Sequence, residues 1–91
     1  PAIKQIELRQ NTPNPFWYST VIGFVLPEAC TAQLRIYDAG GRELHRIDND
    51  YPAGYNAETI YLRDIGATGI LYYELTTPFG KLTRKMKAVQ P

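Results

Sequence analysis

The sequence predicts an all-β domain, an antiparallel sandwich of about seven short strands. Three observations carry this. Apolar and polar residues alternate with period 2 in stretch after stretch, which is the pattern of half-buried strands. The stretches are separated by clusters of Pro, Gly, Asn and Asp, with seven Gly and seven Pro in 91 residues, at the fairly regular spacing of an all-β fold. No segment shows a convincing 3.6-residue apolar period.

Taken in order, Ile3 to Leu8 reads as a short edge strand. Asn11-Thr12-Pro13-Asn14-Pro15-Phe16 follows as a rigid turn. Pro13 and Pro15 hold φ near about −65° and push Thr12 and Asn14 towards extended backbone. From Thr20 onward Ile22, Phe24 and Leu26 share one face, the one expected to be buried. After a connection at Pro27-Glu28-Ala29-Cys30, Ala32, Leu34 and Ile36 alternate with Gln33, Arg35 and Tyr37. Asp38-Ala39-Gly40-Gly41 is a hairpin turn, because its glycines accept positive φ.

Arg42 to Asp48 returns as the partner strand, and the unequal parity of Leu44 and Ile47 predicts a bulge or a change of face. Asp48 to Gly54, rich in breakers, reads as a long polar turn. Tyr55 to Leu62 is a strand whose facing stays open: Tyr55, Ala57, Thr59 and Tyr61 lie on one side, Asn56, Glu58, Ile60 and Leu62 on the other. Gly66-Ala67-Thr68-Gly69 breaks the chain again. In the next strand Leu71, Tyr73 and Leu75 point inward, with Ile70, Tyr72 and Glu74 outward. Pro78-Phe79-Gly80 turns into a last strand, Lys81 to Val89, with Leu82, Met86 and Ala88 inward and Arg84 discordant. The arrangement is that of an immunoglobulin-like sandwich. Cys30 is the single cysteine, so packing alone must hold the core.

Composition bounds the function. The length suits one domain spanning residues 1–91. The net charge is +1, from ten basic and nine acidic residues, which gives no footing for nucleic acid. No apolar run approaches the ~20 residues of a membrane span, and no signal-peptide pattern opens the chain. The sequence starts at Pro1 and its only methionine is Met86, so it is expected to be a piece of a larger protein.

No catalytic pattern emerges. His45 is the only histidine and stands mid-strand without a Ser or Cys motif beside it. Asp48-Asn49-Asp50 lacks the later Gly and Glu of a calcium loop, so neither a metal nor another cofactor is expected. Two features remain. Exposed tyrosines with Trp17 and Tyr18 would suit stacking on sugar rings. Lys81, Arg84, Lys85 and Lys87 form the densest charge cluster, on a strand whose lysines either guard an edge or are read by a partner.

Four ordered segments resemble the C-terminal sorting domains of the type IX secretion system. They are Asn11-Thr12-Pro13-Asn14-Pro15-Phe16 with its Ser19-Thr20 strand, Leu34-Arg35-Ile36-Tyr37-Asp38 through Gly41-Arg42-Glu43-Leu44, Pro52-Ala53-Gly54-Tyr55 with Gly69-Ile70-Leu71-Tyr72-Tyr73-Glu74-Leu75, and Thr83-Arg84-Lys85-Met86. A related immunoglobulin-like fold occurs in the flagellar hook-capping protein. The chain departs from the family at Leu71, where tyrosine is usual, and at Trp17-Tyr18. It also lacks the family's W-D-G or W-N-G segment after Tyr55.

The resemblance implies a non-catalytic address module. It would direct a secreted cargo domain, joined on its N-terminal side, through the periplasm and the type IX translocon to the outer-membrane cell surface, where a sortase-like protease commonly removes it. Carried over from the family, the residues read by the translocon would be Gly69, Gly80, Lys81, Lys85, Lys87 and Val89. Asn11, Pro13, Asn14, Pro15 and Phe16 would form the family's turn. The alternative is an accessory module of a secreted enzyme that binds carbohydrate or the cell surface through Trp17 and Tyr18. A purely structural sandwich comes third.

Overall fold

The structure, a computed structural model, describes residues 5–90; Pro1 and the Ile3-Lys4 part of the expected first strand lie outside them. Seven strands and one helical turn follow in order: β1 (Glu7–Leu8), β2 (Ser19–Leu26), β3 (Cys30–Asp38), β4 (Glu43–Tyr51), β5 (Gly54–Tyr61), α1 (Leu62–Ile65), β6 (Gly69–Thr77) and β7 (Gly80–Ala88). They form a three-stranded sheet, β1-β2-β5, and a four-stranded sheet, β4-β3-β6-β7, and every paired strand is antiparallel. The fold is the predicted immunoglobulin-like sandwich without a disulfide.

The core lies where period-2 alternation put it. Ile22, Phe24 and Leu26 of β2 face Leu34 and Ile36 of β3 and Leu71, Tyr73 and Leu75 of β6, all buried. Each large apolar side chain so buried stabilises the fold by about 1.5–3 kcal/mol. On β5 the open question resolves in favour of Ile60, which is buried, while Tyr55 points out. Tyr55 lies flat over Gly23 of β2, where an added Cβ would stand 2.6 Å from the tyrosine oxygen. The Arg9 guanidinium covers the same ring at 5.1 Å. The glycine in mid-strand is therefore a seat for an aromatic ring.

Three expectations are corrected. The segment from Asp48 is strand rather than turn, because β4 continues to Tyr51. Its polar side chains are occupied across the strands: Gln33 donates to Asp48 (2.9 Å), and the Thr31 hydroxyl donates to Asp50. Tyr51 ends it inside the core, edge-on to Phe24 at 5.0 Å. Second, Leu62–Ile65 is helical, a single turn closed by Gly66 at φ 72°, and it buries Ile65. Third, Leu82 is not a core residue but 37% exposed. The bulge expected in β4 is present and sits at Leu44: Ile36 pairs with His45 and Tyr37 with Glu43, which leaves Leu44 over.

One inward polar group carries a pH signature. Glu58 accepts the Tyr51 hydroxyl at 2.6 Å. Burial first, and then this bond to the carboxylate, push the Tyr51 phenol well above its ordinary value of 10.0. The unfolded chain loses that proton near pH ~10 while the folded chain keeps it. The folded state therefore holds more protons, and stability falls as pH rises past ~10. Urea midpoints measured from about pH 8 to about pH 11 should decline, and Tyr51→Phe should flatten the decline.

Candidate functional site

β7 is the last strand of the four-stranded sheet, paired with β6 on one side only. Residues 80, 82, 84, 86 and 88 face the sandwich interior or its rim, with Met86 and Ala88 buried. The odd residues face outward, and Lys81, Lys85 and Lys87 are all exposed. From Lys81 to Lys87 the three amines span about 20 Å at the ~3.4 Å rise of an antiparallel strand.

The lysines share that outer face with β6 and β3. Lys87 stands opposite Ile70, Lys85 opposite Tyr72, and Lys81 opposite Thr76. Tyr72 stacks on Tyr37 of β3 at 5.8 Å, the rings inclined by 21°. Ile70 is 42% exposed. Among the described residues only Lys81 of the three has an acidic neighbour, Glu74 at 4.0 Å, and Glu74 is held more closely by Arg35 at 3.4 Å. The Glu74 side chain is mostly covered, so its carboxylate is paired with Arg35 first, and the longer contact to the exposed Lys81 adds little. The result is a basic stripe bordered by apolar and aromatic surface.

The two candidate glycines stand at opposite ends of this hairpin. Gly69 pairs with Ala88 at φ 96°, and Gly80 pairs with Thr77 at φ 139°. Both conformations strongly favour glycine. Separated by the whole length of the strand, they do not form one site.

The proline turn and the basic strand, distant in sequence, meet in space. Both Thr12-Pro13 and Asn14-Pro15 are cis. Asn14 Oδ1 accepts the Lys87 amide at 3.0 Å. The Phe16 amide donates to the Lys87 carbonyl (3.1 Å), and the Val89 amide donates to the Phe16 carbonyl (2.9 Å), a short parallel bridge centred on Phe16 and Ala88. Gln10 adds a bond from Nε2 to the Lys85 carbonyl at 2.8 Å. Beneath, Phe16 is buried, and Asn11 donates to Thr20 and Pro13. The turn thus seals the outer edge of β7 from Lys85 to Val89. Nothing in the local sequence pattern reveals this clamp, and Gln10 was not among the expected site residues.

Among the described residues no backbone hydrogen bond covers the outer edge at the other end of β7. β1 is only two residues long, and it runs beside Leu82 to Arg84 with no backbone bond to them among the described residues. Arg84, the discordant residue of the sequence, bridges the gap by donating Nε to the Leu8 carbonyl. A groove of about 380 Å³ lies between Glu7-Leu8-Arg9 and Leu82-Thr83-Arg84. A second, of about 330 Å³, lies between Gln5-Ile6 and Phe79 to Leu82.

Trp17 and Tyr18 sit beyond the other end of the strand, 58% and 54% exposed. Tyr18 meets Trp17 at 53° and Tyr61 at 79°, and Arg63 caps Tyr61 at 4.6 Å. Tilted to one another in this way, the rings do not make one continuous platform for a sugar. Among the described residues no three His, Cys, Asp or Glu side chains gather as a metal site, and no helix is long and apolar enough to cross a membrane.

No protein-family model and no curated protein matches the chain. Solved structures do. The chain is similar over its whole length to part of dimeric latent PorU from Porphyromonas gingivalis, with TM-score 0.76 and 17% identity. It spans about a tenth of that chain (10%). The sensor domain of the anti-sigma factor RsgI4 from Pseudobacteroides cellulosolvens is similar at TM-score 0.67 and 15% identity, over 97% of this chain and 76% of that one. A β-glucosidase from Kluyveromyces marxianus is similar at TM-score 0.63 and 8% identity, over 97% of this chain and 14% of the enzyme. At these identities the likeness shows the sandwich fold.

Proposed function

We propose that this chain is a non-catalytic C-terminal signal module that directs a secreted cargo through the type IX secretion system to the outer-membrane cell surface, and that the translocon reads it at β7. The observation that carries the reading is the presentation of Lys81, Lys85 and Lys87 along one exposed edge strand, fixed at one end by the Asn14-Phe16 turn. The four family-like segments support it, as does the similarity to part of PorU, a type IX secretion protein. The sandwich itself is shared with sensor domains and a glycosidase, so the weight rests on the hairpin.

A row of amines with few internal partners offers an acidic receptor electrostatic complementarity and steering. Removing β7 outright is a poor test, because it would take Met86 and Ala88 from the core. Charge reversal is a better one. A secreted reporter joined to the N-terminal side of this chain, in a type IX-competent bacterium, should reach the surface. The triple variant Lys81→Glu, Lys85→Glu, Lys87→Glu should hold it in the periplasm, with export down at least about tenfold and folding stability changed by less than about 1 kcal/mol. Undiminished export of the triple variant would overturn the proposal.

A further inference from the structure

Among the described residues, half of the β7 edge is left unsealed. The Lys87 amide and carbonyl both point away from β6, to Asn14 and Phe16. By strand alternation the backbone groups of Lys81 and Thr83 point the same way. On that side they meet no backbone partner among the described residues, for the turn reaches only as far as the Lys85 carbonyl. Such a row of unpaired donors and acceptors is a template for another strand. Here it borders an uncovered interior rim as well as an exposed outer face.

We infer that this open segment, Lys81 to Lys85, accepts an extended strand of a partner protein whose residues alternate acidic and apolar. The inference deepens the sorting reading and rests on it for the identity of the partner, which would be a translocon component. Its chemistry comes from the two sides of β7. An added strand places alternate side chains on opposite faces. Those on the outer face fall beside Lys81, Thr83 and Lys85, where carboxylates complement the two amines. Those on the inner side fall over the grooves between β7 and β1, against Leu82, Phe79 and Ile6, where apolar side chains gain burial.

The same charges disfavour a second copy of this chain as occupant. Two β7 edges paired with each other would set lysines against lysines, a like-charge arrangement that strand pairs avoid. Arg84 also holds the width of the groove through its bond to Leu8, so the rim is set before the partner arrives.

The test uses the purified chain and two blocked hexapeptides, one alternating glutamate with valine, the other lysine with valine. The glutamate peptide should bind and slow hydrogen exchange at the amides of Lys81 and Thr83 while leaving Lys87 and Val89, already bonded, unchanged. Thr83→Pro removes an outward amide without touching the β6 ladder, and should abolish binding. The pair Lys81→Glu with Lys85→Glu should weaken the glutamate peptide at least about tenfold and transfer preference to the lysine peptide. That exchange of preference tests the proposal even if the proline variant folds poorly. Absence of binding, or binding indifferent to the charge swap, would overturn it. Self-association of the chain through the same amides would overturn it too, in favour of a homodimer. Failure of the peptide experiment alongside normal, lysine-dependent export would sink the strand-addition inference and leave the sorting role standing. Peptide binding without lysine-dependent export would do the reverse.

Discussion

Phe16→Ala should cost about 3–5 kcal/mol, against a total stability of about 5–14 kcal/mol for a domain of this size. Phe16 is 1% exposed and sits in the core cluster beneath the proline turn. Truncating it removes a large apolar side chain and leaves a hole lined by β-sheet side chains that relax only in part. Melting temperature should fall by roughly 15–30 °C. Trp17→Ala, one residue along, is the natural control: its side chain is 58% exposed, so the loss should stay within about 0.5 kcal/mol. The functional consequence is specific. The Phe16 backbone clamps Lys87 and Val89, so releasing its side chain should speed hydrogen exchange at those two amides more than at Leu75, deep in β6. Equal stability of the two variants would mean that the turn is not anchored through Phe16.

The clamp explains why a motif at one end of the chain and a basic strand at the other occur in the same domain. Asn14 and Lys87 are 73 positions apart, and no periodicity links residues at that distance. Period-2 reading worked where a strand has a full sheet opposite it, as at Ile22-Phe24-Leu26, Ala32-Leu34-Ile36 and Leu71-Tyr73-Leu75, all buried. It failed where the partner sheet ends. Leu82 has the parity of a core residue, yet β1 is too short to cover it. It failed again in β4, where Asp48-Asn49-Asp50 has the composition of a turn. There cross-strand bonds from Gln33 and Thr31, and the buried ring of Tyr51, overrode local propensity. The one helical turn, Leu62–Ile65, is shorter than any window in which a 3.6-residue period is detectable. The lysines, by contrast, were legible as an exposed edge because their alternation with Met86 and Ala88 is intact.

Tyr73→Phe should cost about 2–3 kcal/mol although it removes a single oxygen. The side chain is fully buried, and its hydroxyl does two things at once. It donates to the Arg9 carbonyl at 2.7 Å and accepts the Asn11 amide at 2.9 Å. Asn11 is itself buried, so its amide would be left without water or protein partner, which carries the full desolvation penalty of an orphaned donor. Tyr51→Phe removes the same atom at a different site and should cost under about 1 kcal/mol, because Glu58 is only half-buried and turns to solvent instead. The difference between the two variants, read from urea midpoints at neutral pH, measures what the Asn11-Tyr73 bond contributes beyond burial of a ring. Through Asn11 that bond ties β6 to the proline turn, and through Asn14 and Phe16 the turn ties down β7. Tyr73→Phe should therefore also loosen the Lys87 and Val89 amides, as Phe16→Ala does. If it left those amides as protected as before, the turn would hold the basic strand independently of β6, and the chain of bonds from core tyrosine to presented lysines would be broken at its first link.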